Sequence, residues 1–419
     1  LSDRVMRLDR NEAFDVFAVS RTNDEVQAVS GNASGPTGDD WSIGGRISGD
    51  GRFAVFNSWA ANLGLDANFE LDVFVKNLQT GTIETVSRPR GATGNYGSTD
   101  GWISQDGRYV TYASGASTFT AGDTNRLFDV FQWDRETRTN RVVTRLPDGS
   151  LMGGGGLVVS RTGRFVAFGR GSTHDGGTDD NRTADAFLWD RDSGTVERLS
   201  TAPSGDAASG QSSVAALSDD GRWVVLQTDA PELGGPFEGA MRFVVLDRLS
   251  RSWTPASGWL PNPDAGWQVG DRTASLTISP DGEWLLMGLE RVVGAGESAR
   301  FETRVELVHR ETGRRRLVAE GARGAGAPGD GFAEVWPTAG TQQSFTPSFP
   351  GSSDGRFIVF AAEGREGASG VWQAYLADLG PEVSAAGLRL TRIAVEETGG
   401  LVLEWNARPH GRYAIEHSG

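Results

Sequence analysis

The sequence predicts an all-β chain, a β-propeller of four-stranded antiparallel blades, and three observations carry that prediction. One phrase recurs six times: SGDGRFAVF from 48, SQDGRYVTY from 104, SRTGRFVAF from 160, SDDGRWVVL from 218, SPDGEWLLM from 279 and SSDGRFIVF from 352. A second phrase trails it: DVFVKNLQTG from 72, DVFQWDRETR from 129, DAFLWDRDSG from 185, RFVVLDRLSR from 242 and RVELVHRETG from 304. The composition, with 58 Gly and 13 Trp against 5 Tyr, suits short strands joined by tight turns around large apolar anchors. A repeat architecture absorbs 419 residues into one body where length alone would suggest two or three domains.

Each element has a local reason. Asp-Gly between apolar and β-branched runs is the strongest short-range hairpin signal, and Gly51, Gly107, Gly163, Gly221, Gly282 and Gly355 supply the positive φ of its turn. This gives an inner pair of strands, a and b. The trailing phrase is a second hairpin, c and d, with a charged turn. Four strands per repeat near a 57-residue period make one propeller blade, and the anchor spacing lengthens toward the C-terminus. Trp133, Trp189, Trp223, Trp284 and Trp372 fall inside these strands, as blade-to-blade core.

Counting blades gives seven, with six as the alternative. DVFAVSRTNDEVQAVS from Asp15 is a further c and d pair without an anchor, so the chain opens in the middle of a blade. The propeller is expected over 1–380. The segment 388–419 is expected either to begin a β-sandwich of fibronectin type III character or to supply strands that close the ring. The start at mid-blade leaves room for an export signal ahead of residue 1.

The phrase S-x-D-G-R-F/Y-V-x-F with a downstream D-x-N-x-x-x-D-V-F-x-x-D resembles the TolB-like, WD-type repeats of exported bacterial β-propellers. The resemblance covers about residues 1–380 and is closest in the first three repeats. It implies a propeller fold and a periplasmic or extracellular location. It leaves function open, because the class hosts scaffolds, binding modules and enzymes alike.

Composition narrows the partners. A formal charge of -15 repels a phosphate backbone, which argues against nucleic acid. No run approaches the ~20 apolar residues of a spanning helix. Without cysteine there are neither disulfides nor thiolate metal sites.

Three groups of residues are candidate sites. The spacing Asp-x-Asn-x-x-x-Asp occurs at Asp9, Asn11 and Asp15, at Asp66, Asn68 and Asp72, at Asp123, Asn125 and Asp129, and at Asp179, Asn181 and Asp185. Closely spaced oxygen ligands suit calcium, but the glycine and bidentate Glu of a hand-type loop are missing, and capping of backbone amides is the preferred reading. Ser42, Ser98, Ser212, Thr273 and Thr346 stand six residues before their anchors, where they would ring the mouth of a channel and bind a small ligand or peptide; bonds to neighbouring loops are the plainer reading. Trp253, Trp259 and Trp267 punctuate a Pro-rich segment between blades and Trp336 a long insertion, which makes them rim-loop candidates for stacking on a sugar, with loop packing as the alternative.

Enzyme signatures are poor. His174, His309, His410 and His417 show no metal-ligand spacing, and there is no G-x-S-x-G elbow. No catalytic residue and no cofactor other than the calcium candidate is assigned. The expected function is therefore a non-enzymatic, exported propeller that binds a protein partner or a larger assembly. The alternative is a propeller that binds or acts on carbohydrate through Trp-rich rim loops.

Overall fold

A computed structural model describes residues 13–19, 25–31, 37–64, 70–87, 96–146, 148–171, 183–235, 241–260, 266–269, 276–294, 300–324, 335–336, 357–364, 371–378, 390–395 and 401–405. The chain is all-β, and among these residues the helical content is two 3-10 turns, at Pro231–Leu233 and Ala256–Trp259. The fold is a β-propeller type built from four-stranded antiparallel blades.

The strands follow the chain in blade order. A two-stranded sheet, β1 (Phe17–Val19) and β2 (Val26–Ala28), is the c and d pair expected after Asp15. Module 1 holds β3 (Ser42–Ile47), β4 (Phe53–Ser58), β5 (Asp72–Asn77) and β6 (Ile83–Thr85); module 2 holds β7 (Ser98–Ile103), β8 (Tyr109–Ser114), β9 (Asp129–Asp134) and β10 (Thr139–Val142). Module 3 holds β11 (Gly155–Val159), β12 (Phe165–Arg170), β13 (Asp185–Asp190) and β14 (Thr195–Arg198). Module 4 holds β15 (Ser212–Leu217), β16 (Trp223–Thr228), β17 (Arg242–Asp247) and β18 (Ser252–Pro255). Module 5 is five-stranded: β19 (Gln268–Val269), β20 (Leu276–Ile278), β21 (Trp284–Val293), β22 (Arg300–His309) and β23 (Arg315–Gly324). Then come a three-stranded sheet, β24 (Val335–Trp336), β25 (Phe357–Gly364) and β26 (Val371–Asp378), and a hairpin, β27 (Leu390–Val395) with β28 (Leu401–Trp405).

Burial explains the sequence texture. The middle strands b and c are covered on both faces: five of the six residues are buried in each of β4, β5, β8, β9 and β13. Strands packed on both faces read as continuous apolar runs, and this is why DVFVK and FAVF lack clean alternation. The outer d strands are half-exposed.

The chain divides into two compact units, Leu1–Val214 with Ala230–Leu233, and Ala215–Asp229 with Gly234–Gly419. In the first, the apolar core lies between successive modules: Val55, Val73 and Val75 of module 1 pack with Val110, Tyr112 and Phe131 of module 2. Trp102, Ala113 and Val130 of module 2 in turn pack with Val166, Phe168 and Trp189 of module 3. In the second unit Val225, Phe243 and Val245 pack with Leu285 and Met287. Each blade completes its burial only against a neighbour, the property that makes repetition stabilising.

The anchor turn is wired alike in four of the five described copies, and in module 3 Thr162 takes the place of the Asp, its hydroxyl meeting Ser160 Oγ at 3.2 Å. Ser48 Oγ donates to Asp50 Oδ1 at 2.6 Å, that carboxylate accepts from Arg52 N, and Ser48 Oγ accepts from Phe53 N. The same three bonds recur around Ser104, Ser218 and Ser279. Adjacent turns are also bonded to one another: Gly49 N to Gln105 O at 2.7 Å, Gln105 N to Arg161 O at 2.6 Å and, in the second unit, Asp219 N to Pro280 O at 2.7 Å.

Candidate functional site

Two faces of the modules differ in chemistry. One carries the tight a–b and c–d turns, and its charged groups are engaged within the fold. Arg108 grips Asp134 with two parallel bonds of 3.0 and 2.7 Å, and Arg164 with Asp190 and Arg222 with Asp247 repeat the clamp. The hydrogen bonds from Arg108 and Arg222 hold Asp134 and Asp247 down at about 2. The other face carries the b–c and d–a loops, where Ser42, Ser98, Ser212 and the Asp123–Asp129 loop fall.

The Asp of the c strand is an internal fastener. Asp72 Oδ1 accepts from Ser87 Oγ at 2.6 Å, and the same hydroxyl accepts from Val73 N. Asp129 with Thr144, Asp185 with Ser200 and Asp15 with Ser30 are equivalent. Asp123, Asn125 and Asp129 form the one Asp-x-Asn-x-x-x-Asp loop wholly within the described residues. There Asn125 Oδ1 accepts from Leu127 N at 2.8 Å and its amide donates to Asp129 Oδ2 at 3.0 Å. Burial raises the carboxyls of Asp123 and Asp129 above the usual range. Asp9, Asn11, Asp66, Asn68, Asp179 and Asn181 lie outside the described residues.

Ser42, Ser98 and Ser212 open the innermost strands as expected, and each is 1% exposed. Ser42 N donates to Phe14 O, Ser98 N to Leu71 O and Ser212 N to Ala184 O. The hydroxyls of Ser42 and Ser98 bond those of Ser58 and Ser114 at 2.8 Å. Thr273 and Thr346 lie outside the described residues.

The rim indoles differ from their expected setting. Trp253 is in strand β18, opposite Leu246, because the d strand of module 4 runs into the Pro-rich segment. Trp259 ends a 3-10 turn and donates its indole N–H to Arg310 O at 2.9 Å. Trp267 is 6% exposed, in the module 4 to module 5 core, with Arg291 and Arg304 over its ring at 4.4 and 4.8 Å. Trp336 is in β24, with its side chain outside the described residues.

The exposed aromatics are elsewhere, on the loop face of the first unit. Phe14 is 67% exposed, Trp41 50%, Tyr96 56% and Phe128 39%. They form two edge-to-face pairs, Phe14 with Trp41 at 5.2 Å and Tyr96 with Phe128 at 6.1 Å. Each precedes an inner or c strand by one to three residues, so strand starts hold them outward. Gly115, at the end of β8, makes room for the second pair; a Cβ there would lie 2.7 Å from Tyr96. Carboxylates flank the rings: Asp40 accepts from Trp41 N, and Asp39 is tied to Asn62. Aligning the modules on Ser42 and Ser98 places Trp41 and Tyr96 just ahead of them, a signal that the anchor-centred sequence reading passed over.

A polar pair on the innermost strands was also missed. β3, β7 and β11 each carry a bulge two residues after the equivalent positions Ser42, Ser98 and Gly154, at Gly44 (φ 72°), Asp100 (φ 58°) and Gly156 (φ 62°). Asp100 thus holds a left-handed conformation that the other two modules give to glycine. Arg46, opposite Val55 across β4, occupies the place that Trp102 and Val158 fill in modules 2 and 3, and its guanidinium lies 3.5 Å above the Trp102 ring. Both residues are half-buried. Desolvation pushes Asp100 up to about 6 against the pull of Arg46, and draws Arg46 down to about 10.

No family model and no curated protein sequence matches the chain. Solved structures similar to it include an oligogalacturonate lyase from Vibrio parahaemolyticus, at 12% identity and TM-score 0.49 over 93% of this chain and 92% of that one. The β-propeller domain of the Trilobed protease from Pyrococcus furiosus is similar at 10% identity and TM-score 0.49, covering 87% of each chain. A TolB-type protein from Agrobacterium tumefaciens is similar at 16% identity and TM-score 0.40, over 88% of this chain and 96% of that one.

Proposed function

We propose that the chain is a non-enzymatic, exported β-propeller of TolB-like type that binds a protein partner through the loop face carrying Phe14, Trp41, Tyr96 and Phe128. The observation that carries this reading is the exposure of four large rings on one face, in two preformed pairs. Aromatic side chains are the commonest binding hot spots, and rings already held by a neighbour lose little freedom on docking. Two of the four are Phe, without a polar handle, which suits burial against apolar protein surface better than a sugar. No helix among the described residues is long and apolar enough to cross a membrane. The resemblance of the repeats to exported TolB-like propellers supports a periplasmic or extracellular location.

Affinity capture with the tagged chain tests the reading. A partner retained by the wild type is expected to be lost, at least tenfold in affinity, with Trp41→Ala and with Tyr96→Ala, while both variants melt with the wild type. Capture unaffected by either change sinks it.

Trp41 gives the carbohydrate reading its one specific support, since it is an open indole beside Asp39 and Asp40. A glycan array with tryptophan fluorescence separates the two, because a sugar on Trp41 shifts emission that Trp41→Phe no longer shows. We read the Asp-x-Asn-x-x-x-Asp loops as structural, and calcium chloride is expected to leave the melting temperature unchanged. A calcium-dependent rise would make them metal sites. The hairpin β27–β28 is compatible with either expected role of 388–419, a sandwich start or ring closure.

A further inference from the structure

The geometry points to a binding site for the α-ammonium and α-carboxylate head of a free amino acid, formed by Asp100 and Arg46 on the innermost strands of modules 2 and 1. Two departures from the repeat meet here. A non-glycine residue is held at φ 58° where modules 1 and 3 have Gly44 and Gly156, and a charged side chain takes a position that modules 2 and 3 fill with Trp102 and Val158. Strain and partial burial of charge weaken a fold, so their coincidence on one pair of adjacent strands is evidence of use. Bulges re-aim side chains, and this one turns Asp100 out of the regular pleat. The Trp102 ring beneath Arg46 fixes the guanidinium plane, and Asn57 Oδ1 accepts from Gly101 N at 3.4 Å, steadying the bulge.

The charge pattern selects the ligand. A lone cation drawn to Asp100 meets Arg46, and a lone anion drawn to Arg46 meets Asp100. A compact zwitterion presents a donor to the carboxylate and an acceptor to the guanidinium together, through charge-assisted bonds on both sides. Among the described residues the charge acting on Asp100 is that of Arg46, so affinity is expected to fall between pH 7.5 and 5 as Asp100 takes up a proton. The site differs from the aromatic face in residues and in chemistry, and its failure leaves that reading standing.

Calorimetric titration with glycine, N-acetylglycine and glycinamide tests the assignment on the full chain. Glycine is expected to bind saturably, and the two probes that lack one charge at least tenfold more weakly. Asp100→Asn and Asp100→Gly are each expected to lower glycine affinity at least tenfold and to abolish its pH dependence. Asp100→Gly, which restores the residue of modules 1 and 3, is expected to melt no lower than the wild type, so that lost binding is not lost folding. Absence of glycine binding up to roughly 50 mM, equal binding of N-acetylglycine or glycinamide, or indifference to both Asp100 variants overturns the proposal.

Discussion

Single carboxylates in this chain pull stability in opposite directions with pH. Asp134 and Asp247 are held near 2 by Arg108 and Arg222. Their stabilisation is complete above the unfolded-state value near 4 and disappears as pH falls through 2. Asp100, raised to about 6 by desolvation, does the reverse: the native state binds its proton more tightly, so stability from this residue declines as pH rises from about 4 to 6. Thermal melts of Asp100→Asn and the wild type are therefore expected to converge near pH 4 and to separate by pH 7, the variant melting higher. Asp100→Gly also removes a strained φ, for a gain of about 1 kcal/mol, or roughly 2–4 °C in a unit of this size. A variant that melts lower than the wild type at pH 7 refutes the strain. The repeat itself held the clue to this residue, since Asp100 stands at the Gly44 and Gly156 position. Its pairing with Arg46 was not legible, because it depends on two strands 54 residues apart lying side by side.

The same limit separates what the anchor motif announces from what it does. Ser-x-Asp-Gly reads as a turn, and the turn forms with its Ser–Asp bond. The remaining letters act on the next module. Arg135 of module 2 covers Phe53 of module 1 at 4.0 Å, Arg191 of module 3 covers Tyr109 of module 2 at 3.9 Å, and Arg310 covers Trp223 at 3.4 Å. Each of these arginines also donates to a carbonyl in its own module's anchor turn, Gly107 O, Thr162 O and Gly282 O. The Asp-Gly glycine is the floor of this joint: a Cβ on Gly107 would lie 2.5 Å from Phe53 and one on Gly282 2.4 Å from Trp223. Gly51 has the same positive φ but open space around it. Gly107→Ala and Gly282→Ala are expected to cost about 3 kcal/mol, overpacking added to backbone strain, while Gly51→Ala costs about 1 kcal/mol. Urea denaturation separates them, and equal losses at Gly51 and Gly107 would show that turn conformation alone accounts for the glycine. The aromatic that follows Asp-Gly-Arg was visible in the sequence, but its target was not, since nothing local says which module it faces.

For the chain as a whole, repetition made the fold class readable and blurred the site. Copies that agree report what the modules share, namely the anchor turn and the apolar middle strands throughout, and the Asp–Ser or Asp–Thr fastener in the first unit. Residues used once leave no pattern, so the exposed quartet Phe14, Trp41, Tyr96 and Phe128 carries no repeat signal, whereas the more conspicuous indoles Trp253 and Trp267 belong to a strand and a core. The formal charge of -15 adds a global term. Self-repulsion is screened as the Debye length shrinks, whereas the Arg–Asp clamps it also weakens, whose arginines are partly open to solvent, are each worth about 1 kcal/mol. Raising sodium chloride from about 20 to 300 mM is expected to raise the melting temperature. A fall would mean that the clamps outweigh the repulsion.

The joint between modules has a consequence for descent. Its ring is donated forward and its arginine and glycine are donated backward, so a copy such as module 2, with Tyr109 on one side and Gly107 and Arg135 on the other, carries both halves of a fitting that mates with a like copy. An in-frame duplication or loss through unequal crossing-over would deliver new neighbours already matched, and lineages can alter blade number without first inventing an interface.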